Sequence, residues 1–263
     1  MDFIKTLFKN RKLAIQLGKN DFKNRFANTS LGAIWGFVSP FIFMATYVIV
    51  FQYILKTGAA GDVPFVVWYI PGMAMWMFIN DSILNASNSI INYSYLVKKV
   101  VFPVDIIPVI SLTASSIIAL FLFAIAIVVC MIFGYFANIF KLIYIIIAAF
   151  CFIIAVTRFT SAVATLVPDF SQLLSVLMQL FFWFTPIIWN ISMLANHQIL
   201  SKIVNCMPFS YLVNGFREVF IPGDMMTRNF GVYSLVFWGI TIILFLWGNS
   251  VFKRNKKDFA DVL

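Results

Sequence analysis

The sequence predicts an all-α membrane protein with six transmembrane helices, from its composition, its uncharged stretches and the placement of its basic residues. The chain of 263 residues is 62% hydrophobic and only 11% charged, whereas soluble domains are roughly 45–50% apolar and about 25% charged. Six spans of about 20 residues use roughly 120 residues, so the length suits one transmembrane domain over residues 1–263.

The first 31 residues are predicted to form a cytoplasmic interface helix, with residues 5–31 lying along the membrane. Apolar residues recur there amid Lys, Arg and Asn, which is typical of an amphipathic helix. The basic side, with Lys19, Lys23 and Arg25, suits anionic headgroups or an acidic partner, and a solvated helix that only anchors the topology is an equal alternative. The apolar side consists of Phe3, Leu7, Leu13, Leu17, Phe22 and Phe26. Residues 1–14 lack an uninterrupted apolar core, so no cleavable signal peptide is expected.

Long apolar stretches predict where the six spans lie. They are expected at about residues 33–55, 65–91, 106–134, 142–166, 171–190 and 230–252. Pro71-Gly72 should break the second span near its start, because proline interrupts helical hydrogen bonding. The six-span region therefore covers residues 33–252, and residues 253–263 form a cytoplasmic tail.

The basic residues predict an inner-membrane protein with both termini in the cytoplasm. Of the 19 Lys and Arg residues, seven lie in the first 25 positions and four lie in the last eleven. Basic residues that crowd the edges of apolar spans mark the cytoplasmic face. Five others, including Arg217, fall in predicted outer loops. This asymmetry selects an even number of spans, and it explains the net charge of +9 better than a nucleic-acid partner does.

Two connections are predicted to do more than join spans. The inner loop at residues 92–108 is mixed apolar and basic and is stopped by Pro103, so it can form one or two helical turns that press into a groove on a soluble partner. An ordinary connector is the alternative. The outer segment at residues 190–229 is too apolar for a solvated loop. Two short re-entrant helices would bury its apolar faces, either as a cap over a pathway or by packing on neighbouring spans.

Polar residues inside the spans are candidates for a substrate path. The second span carries a stripe of four, at spacings of four, three and four residues: Asp81, Asn85, Asn88 and Asn92. Such a stripe should face protein or a wet cavity, so both interhelical hydrogen bonds and substrate contact explain it. Arg158 in the fourth span is expected to pair with an acid such as Asp169 or to reach toward headgroup phosphates.

Aromatic residues make up 18% of the chain and offer a second set of path candidates. Sugar rings and aliphatic chains both pack well on aromatic faces, although lipid-facing or interfacial aromatics are the commoner explanation. The candidates are Phe37, Phe41, Phe51, Phe181, Trp183 and Trp189.

The sequence contains no recognisable catalytic motif. It has no phosphate-binding Gly-rich loop ending in Lys-Ser or Lys-Thr, no grouping of Ser, His and an acid, and no metal-ligand spacing. Its three cysteines indicate no disulfide framework. We therefore expect a protein that is not an enzyme and that binds no metal.

The order of these parts resembles the permease subunits of bacterial ABC transporters that export teichoic acids, O-antigens and capsular polysaccharides. The likeness covers essentially the whole chain. The matching stretches are NTSLGAIW at 28–35, LVKKVVFP at 96–103, FTPIIW at 184–189, FSYLVNGFR at 209–217 and FADVL at 259–263.

This resemblance implies a homodimer that works with two copies of a separate ATPase, which binds ATP and Mg²⁺. An undecaprenyl-linked polymer would pass between the two permeases. The inner loop would be the helix that couples to the ATPase, through Tyr95, Leu96, Val97, Lys98, Lys99, Val100 and Phe102. Teichoic acid is the favoured cargo, and O-antigen or capsular polysaccharide is close behind. A carrier or channel without ATP coupling and a membrane-bound transferase are the alternatives from other classes.

Overall fold

A computed structural model describes residues 2–56, 63–98, 102–194, 196–221 and 230–263, and these residues form helices and turns without a strand. The all-α class is thus confirmed for the described residues. The α-helices are α1 (Asp2–Lys9), α2 (Arg11–Arg25), α3 (Trp35–Val48), α4 (Phe65–Asn92), α5 (Ser94–Val97), α6 (Ile107–Ile132), α7 (Ile139–Leu166), α8 (Phe170–Phe184), α9 (Gln198–Cys206), α10 (Pro208–Arg217), α11 (Phe230–Asn255) and α12 (Phe259–Val262). A π-helical segment, Ile49–Ile54, extends α3.

Four helical segments among the described residues are long and apolar enough to cross a membrane. They are Gly32–Ile54, Val104–Ile132, Ile139–Leu166 and Gly231–Asn255. Helix α8 is apolar but has only 15 residues, and Pro186 follows its end. Helix α4 has 28 residues, but polar residues such as Asn80 and Asp81 make it less apolar than the four.

Helix α4 lies at the centre of the molecule. Eighteen of its 28 residues are buried, and it packs mainly against α6 and α7, with further contacts to α3, α8 and α10. Its polar side chains are therefore surrounded largely by protein, where hydrogen-bond partners are available, rather than by lipid.

The expected break at Pro71 does not occur, because α4 continues through this residue. Proline has no N–H, so the carbonyl oxygen of Val67 one turn earlier has no helical donor. The thiol of Cys130 on α6 lies 4.0 Å from that oxygen and donates a weak hydrogen bond to it. A neighbouring helix thus compensates for the missing bond.

The N-terminal segment is two helices rather than one, with the junction at Asn10 and the end at Arg25. Ala14, Gly18 and Phe22 are the buried positions of α2, and the helix packs against α6. A Cβ atom at Gly18 would lie 2.6 Å from Cβ of Thr113, so only glycine permits this close approach. The buried side of α2 therefore faces protein, and its basic residues Lys19 and Lys23 are exposed.

Both chain ends lie at the same end of the helix bundle as α5, and we call this the basic end. Phe3 on α1 contacts Arg158 in the C-terminal half of α7, and Phe259 on α12 packs in one cluster with Val97 of α5. Helices α9 and α10 lie at the opposite end, where the N–H of Asn138, just before α7, donates to the carbonyl oxygen of Val219.

Candidate functional site

A groove with a volume of about 490 Å³ lies between α3, α4 and α8. Helix α4 forms its floor, and α3 and α8 form its walls. Aromatic rings and a few amide or hydroxyl groups line it together. The lining residues are Phe43, Tyr47, Met73, Trp76, Met77, Asn80, Leu84, Ser175, Met178, Gln179, Phe182 and Trp183.

The groove includes one of the six aromatic residues proposed for the path. Trp183 lines it and is 59% exposed, and the indole N–H of Trp189 donates to the Trp183 carbonyl oxygen. Phe37 packs instead against Phe121 of α6, with ring centroids 5.0 Å apart. Phe181 packs against Phe209 of α10 at 4.8 Å.

The remaining two aromatic candidates lie on the segment formed by α3 and its extension. Phe51 stacks on Tyr47 and on Phe65 of α4, whereas Phe41 is half exposed. Sequence reasoning missed Tyr47, Trp76 and Phe182 as groove residues. Asn80 and Gln179 are polar residues in otherwise apolar stretches, and they were the sequence signal that could have located the groove-lining faces of α4 and α8.

Arg217 secures the end of the groove at which α8 stops. Its guanidinium donates to the backbone carbonyl oxygens of Trp68 at 2.9 Å, Pro186, and Ile187 at 2.7 Å. It also donates to Oδ1 of Asn214 and lies over the Trp68 ring, 3.7 Å from the centroid. Arg217 thus holds the start of α4, the chain after α8 and the end of α10 together.

Arg217, which the sequence analysis counted among the charges of the outer segment, is only 5% exposed. The preceding residues of α10 are buried as well, from Phe209 onward. Gly72 of α4 makes room for the guanidinium, because a Cβ atom there would clash with it. Sequence position alone gave no sign of this packing.

Asp81 belongs to a polar network that joins α2, α4 and α6. Arg25 donates to the carboxylates of Asp81 at 3.3 Å and Asp21 at 2.9 Å. It also donates to Oγ of Ser115 and the carbonyl oxygen of Ser111 on α6. Arg25, predicted to face headgroups or a partner, therefore points into the molecule.

The same network reaches the basic end through Tyr93. The Tyr93 hydroxyl donates to Oδ1 of Asp21 at 2.7 Å. Burial, together with this hydrogen bond, raises the pKa of the Tyr93 hydroxyl above its ordinary value, because both favour the protonated form. Tyr93 directly precedes α5, so the network links α2 to the start of the inner loop.

The polar stripe on α4 is used largely for contacts within the protein. Nδ2 of Asn85 donates to Oδ1 of Asp81 at 2.8 Å, and Oδ1 of Asn88 accepts from Oγ of Ser171 on α8. Asn92 is exposed at the end of the helix. Asp81 keeps 39% of its side chain exposed and borders a second cavity of about 260 Å³ between α3, α4 and α6.

The described part of the inner loop has one exposed and one buried face. Tyr95 and Lys98 are exposed, whereas Leu96 and Val97 are each only 8% exposed. Phe102 is partly buried against the cluster that contains Val97. Lys99 and Val100, which belong to the predicted coupling set, lie outside the described residues. The single helical turn α5 thus has a solvent-exposed face at the basic end.

Arg158 pairs with Asp105 rather than with Asp169. Nη2 of Arg158 lies 3.1 Å from Oδ1 of Asp105 and 2.8 Å from Oδ1 of Asn249 on α11. The guanidinium lies over the rings of both Phe3 and Phe252, at 4.3 and 3.8 Å from their centroids. With only 1% of its side chain exposed, Arg158 does not reach toward headgroups.

No group of three His, Cys, Asp or Glu residues in the described part of the chain is placed to hold a metal ion. Cys130, Cys151 and Cys206 are free thiols, and Cys130 is buried.

Comparison with known proteins places these features in context. Residues 13–221 match the family model of ABC-2 type transporters. The chain is 25% identical over 257 residues to an O-antigen export system permease protein RfbA of Klebsiella pneumoniae, with 95% of each chain covered. It is 21% identical over 261 residues to the protein of the same name from Myxococcus xanthus, with 98% of each chain covered. A second Klebsiella pneumoniae protein of this name is 24% identical over 257 residues.

Proposed function

Because the chain belongs to the ABC-2 type transporter family, we propose that it is the membrane subunit of an ATP-driven exporter of a lipid-linked cell-surface polysaccharide. The three relatives are O-antigen export permeases, which favours an O-antigen-like polymer on an undecaprenyl carrier. Teichoic acid, the cargo that the sequence resemblance favoured, stays a prediction.

The groove between α3, α4 and α8 is the observation that carries this proposal. Tyr47, Phe182 and Trp183 offer aromatic faces on which sugar rings pack. Asn80 and Gln179 offer amide groups, which can donate hydrogen bonds to the hydroxyls of a sugar and accept hydrogen bonds from them. The side of this groove opposite α4 is open in a single chain, so a second copy facing it completes a passage. The transporter is therefore a homodimer in this proposal.

The topology that suits this function has six crossings, made by α3, α4, α6, α7, α8 and α11. Helix α4 is roughly 42 Å long at 1.5 Å per residue, enough to cross the bilayer core. Helix α8 is only about 22 Å long. It therefore crosses the membrane together with the residues that follow it, up to Trp189. Helices α9 and α10 re-enter from the outer side. The basic end, with both termini, faces the cytoplasm of a bacterium.

Energy enters this transporter through α5. Tyr95 and Lys98 on its exposed face contact the partner ATPase, and Leu96 and Val97 on its buried face pass the movement to the bundle. Two copies of the ATPase bind ATP and Mg²⁺, one against each permease.

The test is co-purification of the chain with its partner ATPase, followed by transport of a lipid-linked polysaccharide in liposomes. We expect a stable complex and transport that requires ATP. The double variant Lys98→Glu, Lys99→Glu should weaken ATPase binding about ten-fold or more, because charge reversal at a docking face opposes association.

The matched control is Lys141→Glu, Lys202→Glu, which reverses two exposed charges at the opposite end of the bundle. It should leave ATPase binding unchanged. Transport by the chain alone without ATP would instead identify a self-sufficient carrier and overturn the proposal. Equal effects of the two double variants would remove α5 from the ATPase contact.

A further inference from the structure

A charged cluster at the basic end joins the exit of the inner loop to two long helices. Asp105 lies in the short turn Val104–Ile106, between the inner loop and α6. One carboxylate oxygen pairs with Arg158 of α7, and the other accepts from Nζ of Lys256, just after α11. Asp105 therefore connects three parts of the chain that are up to 151 residues apart in sequence.

Apolar packing beneath the loop follows the same connections. Val97 and Val104 pack in one buried cluster with Ala162 of α7, Phe252 of α11 and Phe259 of α12. The ring of Phe252 also makes a cation–π contact with the guanidinium of Arg158. The inner loop thus rests on a platform made by α7, α11 and the C-terminal segment, in addition to its covalent links to α4 and α6.

The pairing around Asp105 is well suited to transmit force. Arg158 is almost fully buried and fixed by a carboxylate, the Asn249 side chain and two aromatic rings. A planar guanidinium in contact with two rings, a carboxylate and an amide oxygen has little freedom to move independently of its partners. A displacement of Asp105 must therefore move α7 or break a buried ion pair, which is strongly unfavourable.

We propose that Asp105, Arg158 and Lys256 form a clasp that transmits movement of the inner loop to the α7–α11 pair, so that ATP hydrolysis is coupled to export through these helices. This inference rests on the proposed function, and it assigns positioning roles to three residues that touch neither ATP nor polymer. In this proposal the C-terminal segment, through Lys256, also transmits the movement.

The first test compares ATP hydrolysis with polymer export in liposomes that contain the permease–ATPase complex. Asp105→Asn should keep ATP hydrolysis near the wild-type rate while export per ATP falls about ten-fold, because the carboxamide cannot hold both cations. Asp105→Glu should restore most of the export, since it retains the carboxylate. Lys256→Ala, which leaves the Arg158 pair intact, should give an intermediate loss. Lys257→Ala, an exposed neighbour on the same segment, should behave as wild type.

The second test measures movement directly and does not depend on export. Spin labels at Ser94→Cys and Lys257→Cys, in a background with Cys151→Ser and Cys206→Ser, report the distance from α5 to the C-terminal segment. In the otherwise wild-type protein this distance should stay constant when the ATPase is trapped with ATP and vanadate. With Asp105→Asn it should change or broaden.

The outcomes separate the clasp from the proposed function. A wild-type chain that does not bind the ATPase or export with ATP overturns the proposed function itself. A functional wild type in which Asp105→Asn keeps its export per ATP and its constant label distance overturns only the clasp. Equal loss of ATP hydrolysis and export in both Asp105→Asn and Asp105→Glu would also overturn it, because the effect would then not depend on the carboxylate and would not be confined to coupling.

Discussion

Arg217 and Arg158 are both buried, and the structure accommodates their charges differently. Arg158 has a carboxylate partner in Asp105. Arg217 donates to three backbone carbonyl oxygens and the Asn214 side chain while it stacks on Trp68. The fork of a guanidinium can serve several fixed oxygen atoms at once, whereas an ammonium is a single point charge. Arginine is therefore specifically required at position 217.

Replacing this guanidinium by an amine tests that requirement. Arg217→Lys should destabilise the protein by about 3 kcal/mol, because carbonyl oxygens that now accept from Arg217 would be left buried without a donor. Thermal unfolding in detergent should show a clear fall in Tm. The exposed Lys202→Gln on α9 serves as the control and should leave Tm unchanged. An Arg217→Lys protein with the wild-type Tm would contradict this account of the end of α8.

At the scale of elements, α2 is positioned by close packing on α6 rather than by lipid. Gly18 permits the approach, and Arg25 at the end of the helix bonds to Asp81 and to α6. The amphipathic pattern correctly predicted helix in this segment, but it did not predict the partner of the apolar side. A protein surface and a lipid surface both select apolar residues, so hydrophobic periodicity alone does not distinguish them.

A larger side chain at Gly18 should push α2 away from α6. Gly18→Val would place its Cβ atom 2.6 Å from Cβ of Thr113 and 3.0 Å from the Ile110 carbonyl oxygen. The displaced helix should become more accessible to limited proteolysis, and Tm should fall by several degrees, since overpacking costs about 1–3 kcal/mol.

Gly239→Ala on α11 is the matched control, because nothing in the described structure lies within 4 Å of a Cβ atom there. It should be neutral or stabilising by about 0.5–1 kcal/mol, as alanine favours helix. If Gly18→Val were as stable and as resistant to proteolysis as this control, the α2–α6 contact would be wrong.

At the scale of the whole molecule, the open groove determines how two copies would meet. In the proposed homodimer, Phe41 of α3 and Trp183 of α8, the two helices that form the walls of the groove, lie near the facing copy. Both are exposed in the single chain, at 50% and 59%. Helix α11, in contrast, packs on α7 and α10.

Cysteine crosslinking should detect this arrangement. In a background with Cys151→Ser and Cys206→Ser, and with the buried Cys130 kept, Trp183→Cys or Phe41→Cys should form disulfide-linked dimers in membranes. A disulfide requires Cα atoms within about 7 Å, so only residues close to the dimer contact qualify. Leu235→Cys on α11, which is 76% exposed, should remain monomeric. Dimers formed through position 235 alone would place the interface on the other side.

The amino-acid sequence was enough to predict a membrane protein, the approximate positions of its helices and its basic end, because composition, apolar runs and charge placement are local signals. It took the folded structure to show that α4 continues through Pro71, that Arg158 pairs with Asp105, and that Arg217 is buried among carbonyl oxygens. Each of these features depends on contacts between residues that are distant in sequence. Asp105 and Lys256, for example, are 151 positions apart. A hydropathy pattern records whether a side chain avoids water, and it does not record which side chain or backbone atom it meets.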